Sequence, residues 1–173
     1  VSSMQKEVLL IIDFGSQYTH LISRRVRELG VYSEIIPFDS REFPTENVKG
    51  VILSGGPMSV HNKQSPKIAK DMLDRYIQRG IPVLGICYGH QLIAYLYGGE
   101  VTQSEKPEYG RETLEVIGES KLFHGIPKKI IVWMNHRDSV KRLPPNFKVI
   151  ASTENCEIAA FEGKDVPIFG GSA

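Results

Sequence analysis

Ile81-Pro82-Val83-Leu84-Gly85-Ile86-Cys87-Tyr88-Gly89-His90-Gln91-Leu92-Ile93-Ala94-Tyr95-Leu96-Tyr97 decides the fold. Residues 82–86 form a short apolar run that reads as a buried strand, and residues 88–97 read as a helix. Cys87 stands at the junction, with a glycine two positions away on either side. This is the cysteine form of a nucleophile elbow, in which a sharp strand-to-helix turn exposes a reactive side chain above a sheet. Glycine suits both positions because a Cβ there would crowd the turn. The helix start matters because its N–H groups and the positive end of its dipole favour a thiolate, the species that attacks a carbonyl carbon.

The same rhythm runs upstream. Val8-Leu9-Leu10-Ile11-Ile12 is a continuous apolar run ending at Asp13-Phe14-Gly15-Ser16, as expected of a strand buried on both faces. Tyr18, Leu21, Ile22, Val26 and Leu29 then recur at helical spacing up to Gly30. Residues 31–36 read as a second strand, and Val51-Ile52-Leu53 as a third, ending in Ser54-Gly55-Gly56-Pro57. Ile68, Met72, Leu73, Tyr76 and Ile77 mark a second helix that closes at Gly80. Strands alternating with helices predict an α/β fold: a doubly wound, mostly parallel sheet with helices on both faces. After Gly98-Gly99 the pattern changes. Residues 111–117, 129–134, 147–152 and 158–162 read as strands separated by turns, an antiparallel β extension packed against the parallel core, and residues 166–170 as one strand more.

Composition bounds the function. The 173 residues fit one domain, with 41% apolar and 24% charged residues and a net charge of +1. That balance points to no nucleic acid and no membrane surface as partner. No apolar stretch approaches the roughly 18–20 residues that span a bilayer, and no signal peptide is legible, so a cytoplasmic location is expected. Met4 reads as the native start, with residues 1–3 as additions. Cys87 and Cys156 allow at most one disulfide, and a reduced state is expected. Metal-ligand spacings are missing, so neither a metal nor a cofactor is expected in this domain.

In sheets of this kind ligands bind beyond the carboxyl ends of the strands, which gathers residues 13–16, 54–57 and 85–89 on one rim. Adjacent glycines let backbone N–H groups approach a developing oxyanion, which makes Gly56 and Tyr88 the natural donor pair beside Cys87, with Gly55 next to them. Gln91 lies one helical turn beyond Cys87 and either faces the same cavity or is a surface glutamine. Trp133-Met134-Asn135-His136-Arg137-Asp138 reads as the end of a strand followed by a polar loop, either solvent-facing or binding a polar substrate. His20 and His90 read as surface or packing residues, and His61 and His124 as loop residues without a carboxylate spaced to orient a base. Lys49, Lys67, Lys70 and the Arg24-Arg25-Arg27 group read as solvated charges, and Cys156 as structural.

Taken together, these residues resemble class I (triad-type) glutamine amidotransferase domains, which have a flavodoxin-like core. The resemblance is carried by Ile12-Asp13-Phe14-Gly15-Ser16-Gln17-Tyr18, Ile22-Ser23-Arg24-Arg25-Val26-Arg27-Glu28, Leu53-Ser54-Gly55-Gly56-Pro57 and Gly85-Ile86-Cys87-Tyr88-Gly89-His90-Gln91. Lys106-Pro107-Glu108-Tyr109-Gly110, Leu122-Phe123-His124-Gly125-Ile126-Pro127 and residues 132–140 follow the same pattern. The first two segments point to the branch of the family attached to GMP synthases.

This resemblance implies a domain over residues 7–170 that hydrolyses glutamine to glutamate and ammonia. It also implies a partner ATP-pyrophosphatase (synthetase) domain, fused or separate, which uses ATP and Mg²⁺ to aminate XMP. Cys87 would form a γ-glutamyl thioester, with Gly56 and Tyr88 holding the oxyanion. Gly55, Gln91, Asn135, His136 and Asp138 would bind the amino-acid end of glutamine. Two departures stand out. Arg137 replaces a small residue, and the family's His-Pro-Glu segment, which supplies the base, does not follow Gly170. The domain therefore reads as lacking its C-terminal part and as inactive by itself. Two alternatives remain: a catalytically incomplete domain that binds glutamine or a partner, and another Cys-elbow hydrolase of the related peptidase group.

Overall fold

The structure, a computed structural model, describes residues 7–15, 19–55, 70–118, 125, 127–154 and 156–171, without the side chains of residues 103–109 and 132–138. Its elements are β1 (Val8–Asp13), α1 (Thr19–Glu28), β2 (Ser33–Pro37), β3 (Val48–Leu53), α2 (Lys70–Gln78), β4 (Val83–Ile86), α3 (Tyr88–Leu96), β5 (Glu100–Val116), β6 (Lys129–Arg142), β7 (Phe147–Thr153), β8 (Cys156–Gly163) and β9 (Ile168–Gly171). Leu10, Ile11 and Ile12 in β1 are all fully buried, although successive strand residues point to opposite faces. Both faces of the sheet are therefore covered there. Gly30 and Gly80, just past α1 and α2, take positive φ (87° and 74°), the left-handed conformation that ends a helix.

Among the described residues all nine strands join one sheet in the order β2-β1-β3-β4-β9-β8-β7-β5-β6. The first five pair in parallel, and the remaining pairings are antiparallel. With β9 in fifth place the parallel half has the doubly wound 2-1-3-4-5 order. The chain steps one way from β1 to β2 and the other way from β3 to β4, so right-handed crossovers place α1 and α2 on opposite faces. The main core runs from Leu10, Ile12 and Leu53 through Tyr76, Tyr88 and Ile93 to Phe161 and Ile168. A smaller cluster of Leu114, Ile150, Ala151, Cys156, Ala159 and Ala160 holds β5, β7 and β8 together, and Cys156 is a buried part of it.

The predicted α/β class holds, with two corrections. The antiparallel strands continue the parallel sheet rather than pack against it. β9 is the seam, pairing Gly170 with Gly85 on one side and with Phe161 on the other. The second correction concerns β5 and β6, which form a much longer ladder than expected. Residues 135–138 lie inside β6, with Tyr109↔Asn135, Glu108↔His136 and Gln103↔Asp138 in register and an irregularity between Gln103 and Glu108. A polar run looks like a turn in the sequence, but the ladder is made by backbone groups that carry no such signature. None of the helices among the described residues is long and apolar enough to cross a membrane.

Candidate active site

Cys87 has φ 52° and ψ −107°. A side-chain-bearing residue is strained there and persists only where its surroundings hold it. Those surroundings are explicit: Cys87 N–H donates to Gly171 O at 2.9 Å, and Gln91 N–H donates to Cys87 O at 3.2 Å, opening α3. The flanking glycines allow the close approach. A Cβ on Gly85 would lie 2.5 Å from the carbonyl carbon and oxygen of Gly89, and one on Gly89 would strike Leu53 O and lie 2.7 Å from Leu53 Cβ. The elbow is thus folded tightly on itself and pressed against the end of β3.

Tyr88 is 2% exposed, and its ring packs against Phe14 at 5.6 Å, with Phe14 in turn stacked on Phe38 at 6.0 Å. With its side chain in the core, Tyr88 presents its backbone to the rim, in the first turn of α3 beside Cys87. His90 is fully buried and stacks on Phe161 with centroids 4.7 Å apart, so of the two roles expected for it, surface or packing, it has the packing one. Gln91 is buried at 6% exposure, so it is not a surface glutamine.

One expectation is reversed. Burial pushes the Cys87 thiol pKa up from its ordinary value. The helix N-terminus favours the thiolate, but half-burial of the sulfur removes solvation from the charged form, and desolvation wins. A resting thiol in this elbow therefore needs a base.

A polar network joins the neighbouring strand ends. Asp13 Oδ1 accepts from Gly15 N–H at 2.8 Å and from the Thr19 hydroxyl at 3.0 Å. The Thr19 and Ser54 hydroxyls lie 3.3 Å apart. Ser54 Oγ accepts from Phe14 N–H at 3.2 Å and donates to Gly55 O at 3.2 Å. Because β1, β3 and β4 are adjacent, Asp13, Gly55 and Cys87 share one rim, as predicted. Thr19 was not anticipated as a participant. Its only sequence signal is a hydroxyl residue at a helix start shortly after an aspartate.

Gly56 and its proposed donor role lie outside the described residues, as do His61, His124, Lys67 and the side chains of Asn135, His136 and Asp138. The backbone of the last three is placed by β6, and both β5 and β6 pack against α3. His20 is exposed. Arg27 is not merely solvated: its guanidinium donates to Ser33 O at 2.6 Å and lies 5.1 Å over the Tyr32 ring, stapling α1 to β2. No group of three or more His, Cys, Asp or Glu among the described residues is placed to hold a metal ion.

A strained cysteine on a strand-to-helix elbow, at the carboxyl rim of a 2-1-3-4-5 sheet, defines a class of nucleophilic hydrolase. Residues 10–171 match the glutamine amidotransferase class-I family, and the chain belongs to that family. It is 46% identical over 169 residues to GMP synthase [glutamine-hydrolyzing] of Caldicellulosiruptor saccharolyticus, covering 96% of this chain and 32% of that protein. The corresponding Aquifex aeolicus protein is 47% identical over the same shares. The chain thus spans about a third of the length of the curated relatives it matches. Among solved structures, a GMP synthase-type protein of Thermoplasma acidophilum superposes with a TM-score of 0.82 at 32% identity, covering 97% of this chain and 83% of that one. A glutamine amidotransferase of Thermotoga maritima shares the fold, with a TM-score of 0.78 at 22% identity over 97% of this chain and 75% of that one.

Proposed function

We propose that this chain, over residues 7–170, is the glutamine-hydrolysing part of a GMP synthase, releasing ammonia for the ATP-dependent amination of XMP to GMP. The observation that carries the reading is Cys87, held at φ 52° between two glycines that permit no side chain. In this reading a base takes the Cys87 thiol proton and the sulfur attacks the side-chain amide carbon of glutamine. The backbone N–H groups of Tyr88 and Gly56 stabilise the oxyanion. As the tetrahedral species collapses, the amide nitrogen gains a proton and leaves as ammonia, giving a γ-glutamyl thioester. Water then cleaves the thioester to glutamate and restores the thiol. Gly55, Gln91, Asn135, His136 and Asp138 bind the amino-acid end of the substrate.

In this reading the base is the one that the family carries on its His-Pro-Glu segment. The carbonyl of Gly171 is bonded to the Cys87 N–H, which sets the end of the last described strand beside the nucleophile. Burial raises the Cys87 thiol pKa, so in this reading turnover depends on the base that takes its proton. The synthetase partner, which holds ATP and Mg²⁺, is fused, a reading supported by relatives three times as long as their match to this chain. The protein acts in the cytoplasm.

The test is to supply the full-length protein with glutamine and follow ammonia, then to add XMP and ATP and follow GMP. Ammonia release that survives Cys87→Ala would sink the reading. The burial-raised thiol favours one competitor, a domain that binds glutamine or a partner without turnover. Saturable glutamine binding with no ammonia from the full-length protein would select it.

A further inference from the structure

We propose that His90 is a positioning residue for Cys87: its ring seats the first turn of α3 on β9 and so keeps the Cys87 N–H on the carbonyl of Gly171. This rests on the glutaminase reading above for what Cys87 does, and on packing alone for how it is held. Three consecutive residues anchor that turn, each to a different part of the sheet. The Tyr88 ring packs at 5.6 Å against Phe14, just past β1. Gly89 is pressed against Leu53 in β3. His90, fully buried, stacks on Phe161 of β8 with centroids 4.7 Å apart and 30° between the ring planes. A Cβ on Gly170 of β9 would lie 2.8 Å from His90 Nδ1 and 2.7 Å from Phe161 Cε2, so the two rings together cover that glycine. Of the three anchors, His90 is the one that reaches β9, the strand whose Gly171 carbonyl accepts from the Cys87 N–H at 2.9 Å.

That strand end cannot brace itself. Gly170 and Gly171 carry no side chains, and glycine inside a strand often marks a place where another group approaches the backbone closely. A side chain at Gly171 would meet open space, so the packing that bears on this end comes through Gly170. Pairing with β4 and β8 fixes β9 within the sheet, but it does not set the height of α3 above it. Side-chain packing does that, and a close-packed interior transmits a shift rather than absorbing it. Phe161 is itself held, edge-on to Phe147 at 5.5 Å. Cys87 and His90 are neighbours at three-residue spacing on the helix, so moving that turn moves both. Because Cys87 is strained at φ 52°, its backbone relaxes once the surrounding contacts loosen.

The experiment uses the full-length protein with His90→Ala and His90→Met, and reads kcat, KM for glutamine and hydrogen exchange of the Cys87 amide. Alanine empties the space over Gly170, whereas methionine refills it with a flexible apolar side chain. In His90→Ala the Cys87 amide should exchange at least about tenfold faster, with β1 and β7 amides unchanged, because the opening is local to the elbow. Its kcat should fall about 10- to 100-fold with KM within about threefold, since a misplaced nucleophile costs rate more than binding. His90→Met should restore kcat to within about threefold of the parent.

A folded His90→Ala protein with either kcat or Cys87 exchange within about twofold of the parent overturns the proposal. So does exchange that quickens equally in β1 and β7, which marks a general loss of stability. A methionine variant as slow as the alanine one also overturns it, because the imidazole would then act by its chemistry and not by its shape. If the alanine variant does not fold, His90→Asn, planar but shorter, takes its place, and the same changes in exchange and kcat are required of it. A parent that releases no Cys87-dependent ammonia, with the exchange difference present, defeats the glutaminase reading and leaves the holding contact standing. A parent with normal turnover and an unchanged Cys87 amide in the variants defeats only this one.

Discussion

The backbone N–H of Cys87 donates to the carbonyl of Gly171 at 2.9 Å, joining the candidate nucleophile to the last described strand rather than to a neighbour on its own turn. Ile86↔Gly171 is the end of the β4–β9 ladder, so this hydrogen bond carries the ladder's register into the elbow. The position of the sulfur is thereby coupled to a segment far away in sequence. This contact is one of those that hold the strained backbone of Cys87 in place.

The strain at Cys87 sets function against stability. A non-glycine residue in such a conformation costs about 1–3 kcal/mol. Cys87→Gly is expected to be more stable than Cys87→Ala by about 1 kcal/mol, despite having the smaller side chain. Both should lower glutamine hydrolysis by roughly three orders of magnitude or more. Denaturant unfolding of the two variants checks the order, and an alanine variant more stable than the glycine one would contradict it.

The thiol pKa has a readable sign. Burial raises it, so iodoacetamide labelling of this chain should be slow at neutral pH and rise with an inflection above the ordinary thiol value. The stability linkage has the same direction. Below the ordinary thiol pKa both states are protonated; as pH rises past it the unfolded chain loses its proton first, and stability falls until the folded thiol also ionises. Tyr76, pushed up to about 12 by burial, adds to this alkaline loss. In the full-length protein the labelling inflection should move to lower pH. Identical profiles for the two proteins would show that no base is added by the rest of the chain.

The glycine pair is expected to be intolerant. Gly85→Ala and Gly89→Ala each drive a Cβ into backbone atoms that cannot rotate away, and should cost about 3 kcal/mol or more. Gly171→Ala meets open space and should change stability by less than about 0.5 kcal/mol. Thermal unfolding of the three variants gives the ranking directly.

Gln91 separates binding from chemistry. Its buried position one turn beyond Cys87 assigns it to ground-state grip, so Gln91→Ala should raise KM for glutamine about tenfold and change kcat by less than about threefold. Steady-state kinetics decide. A fall in kcat at constant KM would move Gln91 into the chemical step.

Legibility in the sequence followed the physics of burial. β1, β3 and β4 were plain because strands covered on both faces must be continuously apolar, and the elbow was plain because only glycines permit its close contacts. Residues 135–138 were misread because backbone pairing leaves no trace in side-chain type. The Cys87 pKa was predicted in the wrong direction because a helix start is visible in a sequence whereas half-burial of a sulfur is not. Arg27 looked like one more solvated charge; its carbonyl partner, Ser33 O, lies on the next strand and has no residue signature. Thr19 and the hydrogen-bond partners of Ser54 went unread for the same reason, since they are brought together by the sheet order.

That sheet order also has a consequence in time. β9, the last described strand in the chain, takes a central place between β4 and β8. During synthesis β1, β3 and β4 emerge early and leave the far edge of β4 unpaired, an edge that invites wrong pairing. The following strands cannot bridge it, because β5–β8 reach β4 only through β9. Closing the sheet therefore waits on a long-range pairing, the slowest kind of contact to form. Cys87 receives its Gly171 contact in that same event, so a nascent chain does not carry a finished nucleophile until its two halves have been zipped together.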